Sequence, residues 1–273
     1  MIETQPSHSQ PRLLTALPVY NEAAHLSGVL DQVARHADDI LVVDDGSSDD
    51  TPRLLANRND VQVLTHPENR GYGAALRTAF CYARRNRYDL LVTIDCDGQH
   101  EPQRIRELAA HCAPGIDIVS GSRYLAPHDE SLGAENQGVA PADRKVINQT
   151  ITDELNQRLG LGLTDAFCGF KAYRVASLSR LRLTEDGYAM PLELWVQAAQ
   201  LGLTVQEVSV PLIYLDEKRS FGGELDDAAR RLKHYREVIN RAMDASEGRG
   251  LASSPDPCDG LLRALPSQPE VAV

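Results

Sequence analysis

The stretch Leu90-Leu91-Val92-Thr93-Ile94-Asp95-Cys96-Asp97-Gly98-Gln99-His100 decides how this chain is read. Its first five residues form an apolar run of strand length that stops at two carboxylates. A strand buried on both faces of a parallel sheet has this composition, and ligands of open α/β sheets sit beyond the carboxyl ends of the strands. Asp95 and Asp97 are two apart with Gly98 after them. At a strand end turning into a loop, that spacing lets both carboxylates face one point. Hard divalent cations take oxygen ligands, and Gln99 adds a carbonyl oxygen within reach. The same residues also suit a plain polar turn after a core strand, because Asp and Gly are ordinary turn formers.

The flanking segments bear on that choice. Upstream, residues 13–17 read as a first strand ending at Pro18. Pro18-Val19-Tyr20-Asn21-Glu22 follows, then a helix with Leu26, Val29, Leu30 and Val33 on one face. Residues 40–43 form a second strand ending in Asp44-Asp45-Gly46-Ser47-Ser48-Asp49-Asp50-Thr51. Asp50 or Thr51 is expected to cap the next helix, with Pro52 in its first turn. Residues 61–64 make a third strand, and Asn69-Arg70-Gly71-Tyr72-Gly73-Ala74-Ala75 opens another helix. Downstream, Glu101-Pro102 starts a helix, and the strand 116–119 ends at Gly121-Ser122-Arg123-Tyr124. Strands alternating with helices imply a mostly parallel sheet with right-handed crossovers. Every polar motif follows a strand, so the motifs are expected along one sheet edge.

The second half has a different pattern. Residues 125–142 form a long acidic loop, and loops of that length are commonly lids or disordered. A helix is expected over 143–159, a turn into a strand over 165–174, a helix carrying Trp195 over 190–200, and a strand over 205–213. Asp216-Glu217-Lys218-Arg219-Ser220-Phe221-Gly222-Gly223 is a charged loop, and an amphipathic helix uses Leu225, Ala229, Leu232, Val238 and Ile239. The ordered domain is expected over 12–243, between disordered ends at 1–11 and 244–273.

With 273 residues and 42% hydrophobic content the chain can build one sizeable domain. A net charge of -11 argues against nucleic acid as a partner, which calls for a basic face. Any anionic substrate must therefore meet a local Arg/Lys cluster or a metal. Cys81, Cys96, Cys112, Cys168 and Cys258 are scattered and odd in number, which suggests free thiols in a reducing cytosol rather than zinc or disulfides. The N-terminus lacks the apolar core of a signal peptide, and no window approaches the roughly 20 apolar residues of a spanning helix.

Taken together and in order, Pro18-Val19-Tyr20-Asn21-Glu22, Val43-Asp44-Asp45-Gly46-Ser47-Ser48-Asp49, Asn69-Arg70-Gly71-Tyr72-Gly73-Ala74-Ala75 and Asp95-Cys96-Asp97-Gly98-Gln99-His100 resemble family 2 glycosyltransferases. Within them the chain looks most like the soluble catalytic domain of polyprenyl-phosphate (dolichol-phosphate) mannosyl- and glucosyltransferases, over roughly residues 12–243. The resemblance implies an α/β GT-A nucleotide-diphosphosugar transferase fold. It implies a nucleotide-sugar donor of the GDP-mannose or UDP-glucose type, a polyprenyl phosphate acceptor, Mg2+ or Mn2+, and inverting transfer. It places the protein in the cytoplasm, peripheral to the inner membrane face or beside a membrane partner.

Residue by residue, the resemblance implies that Asp95, Asp97 and Gln99 hold the metal, with Asp95 also touching the donor. Pro18, Tyr20, Glu22, Asp45, Gly71 and Ala74 then belong to the nucleotide site. Tyr20 can stack on a base, Glu22 and Asp45 can accept hydrogen bonds from base or ribose, and Gly71 and Gly73 let backbone approach the nucleotide. Asp44 also suits a simple turn. Arg123, Arg144 and Arg219 match anion-binding positions of the family, and guanidinium groups grip phosphate bidentately. After Arg219, however, Gly222-Gly223-Glu224 stands where the family usually has Ser-Lys. Asp165 matches the acidic position near the acceptor. It would be a general base for a hydroxyl acceptor, or would orient Lys171, Arg144 or the sugar if the acceptor is a phosphate. His100 suits a base, a ligand or a support for the acids. Cys96, Trp195 and Phe170 are expected in the core. Arg230, Arg231, Lys233 and Arg236 either face solvent or touch anionic lipid. Two further readings are a silent nucleotide-sugar binding protein and a nucleotidyltransferase. The second would need a Gly-rich basic loop after the first strand, where Pro18-Val19-Tyr20-Asn21-Glu22 stands.

Overall fold

The computed structural model describes residues 10–125, 141–214 and 223–248, together with Cys258. Strand β1 (Leu13–Val19) lies in the middle of a seven-stranded sheet, and its side chains alternate between two hydrophobic cores. Leu14 and Ala16 enter one, Leu17 and Val19 the other. The same period-two division holds on β2 (Asp39–Asp44), where Leu41 and Val43 oppose Ile40 and Val42. Strands buried on both faces must be apolar at nearly every position, which is why these segments lack a polar side.

The order of elements is β1, α1 (Leu26–Val33), β2, α2 (Thr51–Leu55), β3 (Gln62–Thr65), α3 (Tyr72–Arg85), β4 (Leu90–Thr93), α4 (Ile105–His111) and β5 (Ile118–Ser122). It continues through α5 (Ala142–Leu159), β6 (Lys171–Arg174), α6 (Val175–Leu178), α7 (Met190–Gln200), β7 (Val205–Ser209) and α8 (Ala228–Gly248). In space the strands run β3-β2-β1-β4-β6-β5-β7. All neighbours are parallel except that β6 is antiparallel to both β4 and β5. The carboxyl ends of β1, β2, β4 and β5 and the amino end of β6 therefore share one edge. The α/β sheet with parallel crossovers expected from the sequence is present.

Two strand boundaries differ from expectation for identifiable reasons. β1 continues through Pro18 to Val19. Ala16 O accepts from Ile94 N at 3.1 Å and Val19 O from Asp45 N at 2.8 Å, so alternation turns Pro18 toward β4. There β4 has already ended, and the N–H that proline lacks is not needed. β7 stops at Ser209, short of the expected 213, with Pro211 just beyond. α8 runs to Gly248, past the expected end of the ordered domain.

The expectation of five free thiols is corrected. Cys81 on α3 and Cys258 form a disulfide across a separation of 177 residues, while Cys96, Cys112 and Cys168 are free and buried. Such a pairing leaves no spacing signal in a sequence, and scattered cysteines are therefore no guide to compartment here. No helix among the described residues is long and apolar enough to cross a membrane. The expected N-terminal disorder over residues 1–9, the 126–140 part of the acidic loop, the loop 216–222 with Arg219, and most of the tail lie outside the described residues.

Trp195 is fully buried and its indole N–H donates to Ala166 O at 2.8 Å. This bond ties α7 to the segment that carries Asp165. Trp195→Phe removes the donor and leaves a buried carbonyl unpaired, a loss of about 1–3 kcal/mol. Trp195→Ala adds a cavity and should cost about 3–5 kcal/mol. Urea titrations of the two variants, compared at equal m-value, check this ordering.

Candidate active site

The sheet edge opens into a pocket of about 570 Å³. Its walls include Pro18, Tyr20, Glu22, Asp45, Gly71, Asp95, Asp97, Gln99, Arg123 and Arg144. Because β2, β1 and β4 are consecutive in the sheet, the acids fall in a line. Asp45 leads, Glu22 follows, and Asp95 with Asp97 come next. Arg123, after β5, lies on the far side of β6.

The loops after β1 and β2 are knitted together. Asn21 has φ 54, a left-handed conformation that Asn tolerates, and its Oδ1 accepts from Ser48 N at 2.8 Å and Asp49 N at 3.2 Å. Thr51 Oγ1 accepts from Glu22 N at 3.0 Å. The N-terminal side chain expected to cap α2 makes no capping bond at Asp50. Instead Asp49 Oδ1 accepts from Thr51 N at 2.9 Å. Asp44 is buried and accepts from Ser47 N at 3.0 Å, so it is a turn residue. Asp45 carries more: its Oδ2 accepts from Gly71 N at 2.7 Å and its Oδ1 from Arg70 N at 3.0 Å, which fixes the start of α3.

The glycine reading is corrected in part. Gly71 lines the pocket with φ +104, but a Cβ on it would lie 2.4 Å from Asp186 O, and one on Gly73 2.4 Å from Glu185 O. Both glycines admit the chain's own 185–187 turn against α3. Ala74 does not belong to the pocket: it is fully buried and its N–H donates to Asp186 O at 3.1 Å. Ala75 lines the pocket instead.

At the acid pair, Asp95 Oδ1 accepts from the Tyr72 hydroxyl at 3.1 Å, and His100 Nε2 lies 3.2 Å from Oδ2. Burial, and then the Asp95 charge, push the Tyr72 phenol well above its ordinary value, so it stays a donor. Gly169 is packed so closely that a Cβ there would sit 2.2 Å from Asp95 Oδ2. Asp97 accepts from Gln99 N and from Gln99 Nε2, both at 3.0 Å, so the amide nitrogen of Gln99 is turned to Asp97. Among the described residues no cluster of three or more His, Cys, Asp or Glu forms a complete cation cage. Two carboxylates and an amide oxygen still suit Mg2+ or Mn2+, which bind through one or two carboxylates plus substrate phosphates. The residue set fits such an ion when the substrate completes its shell.

Arg123 and Asp165 are one unit. Arg123 Nε donates to Asp165 Oδ2 at 2.7 Å and its terminal nitrogen to Oδ1 at 3.0 Å. Asn148 Nδ2 and Phe167 N also donate to Oδ1, at 3.3 and 3.1 Å. Asp165 is fully buried. Burial alone would push its carboxyl up, but the Arg123 charge and these hydrogen bonds prevail and hold it down at about 2. Such an acid is a poor base and has no access to the pocket. Of the two readings of Asp165, a general base for a hydroxyl acceptor or an orienter of a neighbouring group, the geometry fits the second, and the group it holds is Arg123. Lys171 is buried beneath, donating to Cys168 O with its ammonium 5.4 Å from the Trp195 ring, and burial lowers its pKa. Glu207 on β7 completes the support, accepting from Thr164 N at 2.7 Å and Asp165 N at 3.0 Å.

The remaining wall is aromatic. Tyr72 and Tyr188 stack at 5.7 Å, Phe167 meets Tyr235 at 5.0 Å, and Arg144 lies over Tyr214 at 5.9 Å. Arg231, expected on an exposed basic face, is buried and donates to Leu225 O and Asp143, while Arg236 pairs with Glu154. Arg231 is thus held inside the protein, while Arg236 stays exposed on the helix surface with Glu154 as its partner.

The model of "Glycosyl transferase family 2" matches residues 15–182, well over half of the chain. The chain belongs to glycosyl transferase family 2. This glycosyltransferase is 32% identical to polyprenol monophosphomannose synthase of Mycolicibacterium smegmatis over 209 residues, 73% of this chain and 76% of that protein. It is 31% identical to undecaprenyl-phosphate mannosyltransferase of Micrococcus luteus over 228 residues, 80% and 90% of the two chains. Its GT-A fold is shared with crystal structures of glucosyl-3-phosphoglycerate synthase from Mycobacterium tuberculosis. The complex with Mn2+, UDP and glucosyl-3-phosphoglycerate superposes with a TM-score of 0.64 at 20% identity, over 86% of this chain and 81% of that one. Another was solved with Mg2+ and UDP, with a TM-score of 0.63.

Three residues at this pocket or against its acids escaped the sequence reading: Tyr72, Tyr188 and Gly169. Tyr72 sat inside a quoted motif where only the glycines drew a reading. Tyr188 and Gly169 reach the site through the second half of the chain, and nothing in local spacing marks them.

Proposed function

We propose that this glycosyltransferase moves a hexose from a nucleoside diphosphate sugar to a polyprenyl phosphate, with inversion at the anomeric carbon. The observation that carries the reading is the Asp165–Arg123 pair. The acid at the acceptor position holds a guanidinium at the pocket wall and is not available as a base. A hydroxyl acceptor would need a base there. A phosphate monoester acceptor is already an anion at neutral pH and needs only cations to hold it. The similarity to the two mannosyltransferases named above supports the same acceptor.

In this reading Tyr20, Glu22 and Asp45 hold base and ribose at the β1–β2 end. Asp95, Asp97 and Gln99 would hold Mg2+ or Mn2+, whose Lewis acidity, when the ion is bound, offsets the charge of the departing nucleoside diphosphate. Arg123 and Arg144 hold the acceptor phosphate, with Asp165 fixing the Arg123 plane. One acceptor oxygen attacks the anomeric carbon as the bond to the nucleoside diphosphate breaks, and no proton has to be removed. The aromatic wall shields the reacting atoms from water.

The test begins with calorimetry of GDP-mannose and UDP-glucose, with and without Mn2+, on the unaltered protein and Asp97→Ala. Metal-dependent binding of one donor, lost in the variant, is expected. Transfer of label into the organic phase is then compared for polyprenyl phosphate and the unphosphorylated polyprenol. Label on the phosphate alone is expected, and equal labelling of the alcohol would overturn the acceptor assignment.

A further inference from the structure

His66 follows β3 and has no direct place in the chemistry above, yet its side chain is wholly buried at the back of the donor site. Its Nδ1 lies 2.5 Å from Asp45 Oδ1 and its Nε2 lies 2.9 Å from Thr78 Oγ1. The backbone of the same residue donates to Asp44 O at 2.8 Å. A relay therefore runs from α3 through Thr78 and His66 to the pocket wall at Asp45. A carboxylate can accept about four hydrogen bonds. Asp45 takes three from the protein, from Arg70 N, Gly71 N and His66, and it lines the pocket where a ligand can supply the fourth.

We propose that His66 is a positioning and specificity-determining residue for the donor nucleotide, acting by locking Asp45 as a pure hydrogen-bond acceptor toward the base. This rests on the donor site proposed above. All three protein contacts of Asp45 come from nitrogen atoms, and together they fix the plane of the carboxylate. Thr78 completes the lock: its hydroxyl oxygen lies 2.9 Å from Nε2, so both ring nitrogens are held and the ring cannot turn away from Asp45. Where the ring nitrogen of a base's pairing edge faces Asp45, that nitrogen must then carry a hydrogen. Uracil and guanine carry one there, whereas cytosine and adenine present a ring nitrogen lone pair that the carboxylate repels.

The experiment uses the full chain with Mn2+ and measures affinity for UDP, GDP, CDP, ADP and inorganic pyrophosphate. The unaltered protein is expected to bind UDP or GDP at least about tenfold more tightly than CDP and ADP. His66→Gln places an amide near the former Nε2 and loses the bond to Asp45. It should weaken the preferred diphosphate about tenfold or more and narrow the base preference, with pyrophosphate binding unchanged. His66→Asn places its amide near the former Nδ1 and should retain most of both. A merely structural role would move pyrophosphate and nucleotides together and would not separate Asn from Gln. Should both variants fail to fold, Thr78→Val reads the same relay from its outer end, with a smaller loss of base preference expected. Unchanged nucleotide affinity and base preference in a folded His66→Gln or Thr78→Val would overturn the proposal. An unaltered protein that binds none of the four nucleotides would overturn the donor site itself, and the role of His66 with it.

Discussion

Asp165→Ala is expected to destabilise the protein by about 3–5 kcal/mol and to reduce sugar transfer by about a thousandfold or more, because it strands the Arg123 guanidinium without its partner. The pair is bidentate and its acid is fully buried, so the variant loses both charge-assisted bonds at once. Arg123→Lys separates charge from geometry. It retains a cation but not the fork, and should lose transfer about a hundredfold at a smaller stability cost. Donor affinity, measured by calorimetry, should change little in Arg123→Lys, since Arg123 lies across β6 from the nucleotide end. Equal activity of Arg123→Lys and the unaltered enzyme would remove Arg123 from the acceptor site.

The same pair sets an acid limb in stability. The Asp165 carboxyl falls from an ordinary 3.8 to about 2 on folding, despite the opposing effect of burial. A depressed acid stabilises the fold fully above its unfolded value and loses that contribution as pH drops through its folded value. The window is therefore from about 4 down to about 2, and the contribution about 2 kcal/mol. In Asp165→Asn this part of the acid limb should disappear from denaturant titrations taken across that window.

The second large effect is expected from Gly169→Ala. The added methyl would fall 2.2 Å from Asp95 Oδ2 and 2.7 Å from Oδ1, and an aspartate is too short to swing clear at low cost. The carboxylate must rotate, breaking its contacts with Tyr72 and His100. Misplacing one ligand oxygen by an ångström should lower turnover about a hundredfold. Overpacking strain should cost about 1–3 kcal/mol, leaving the protein folded. Mn2+-dependent UDP binding in the variant should resemble that of Asp97→Ala. If Gly169→Ala binds Mn2+ and UDP like the unaltered protein, Asp95 does not take part in holding the ion.

The sheet edge that gathers the acids was legible in the sequence because composition and topology coincide. Each acidic motif directly follows an apolar strand, and parallel β–α succession alone brings such motifs to one edge. Cys96 was also legible as core from alternation, and Trp195 was expected there as well. The Asp165–Arg123 pair was not. Asp165 reads as an acid near the site, but its partner Arg123 is 42 residues away, and only the β5–β6 pairing brings the two together. Gly71 and Gly73 advertise a close approach without saying to what, and the answer is a turn more than a hundred residues later. The Cys81–Cys258 bond has no local signature either.

The placement of β6 between β4 and β5 has a consequence for how this chain is made. β4 and β5 follow one another in sequence but are separated in the sheet by a strand that emerges only after α5. A nascent chain that has reached Leu159 therefore carries β4 with one main-chain edge unpaired, and β5 lacks both of its neighbours. Exposed strand edges template pairing with other chains, and non-local pairing is slow. The interval between synthesis of Thr93 and synthesis of Arg174 is thus the period when this glycosyltransferase is most exposed to aggregation. Joining β4 to β5 depends on residues 171–174, which follow directly on Gly169, so the strand that bridges the two halves of the sheet also brings Gly169 against Asp95.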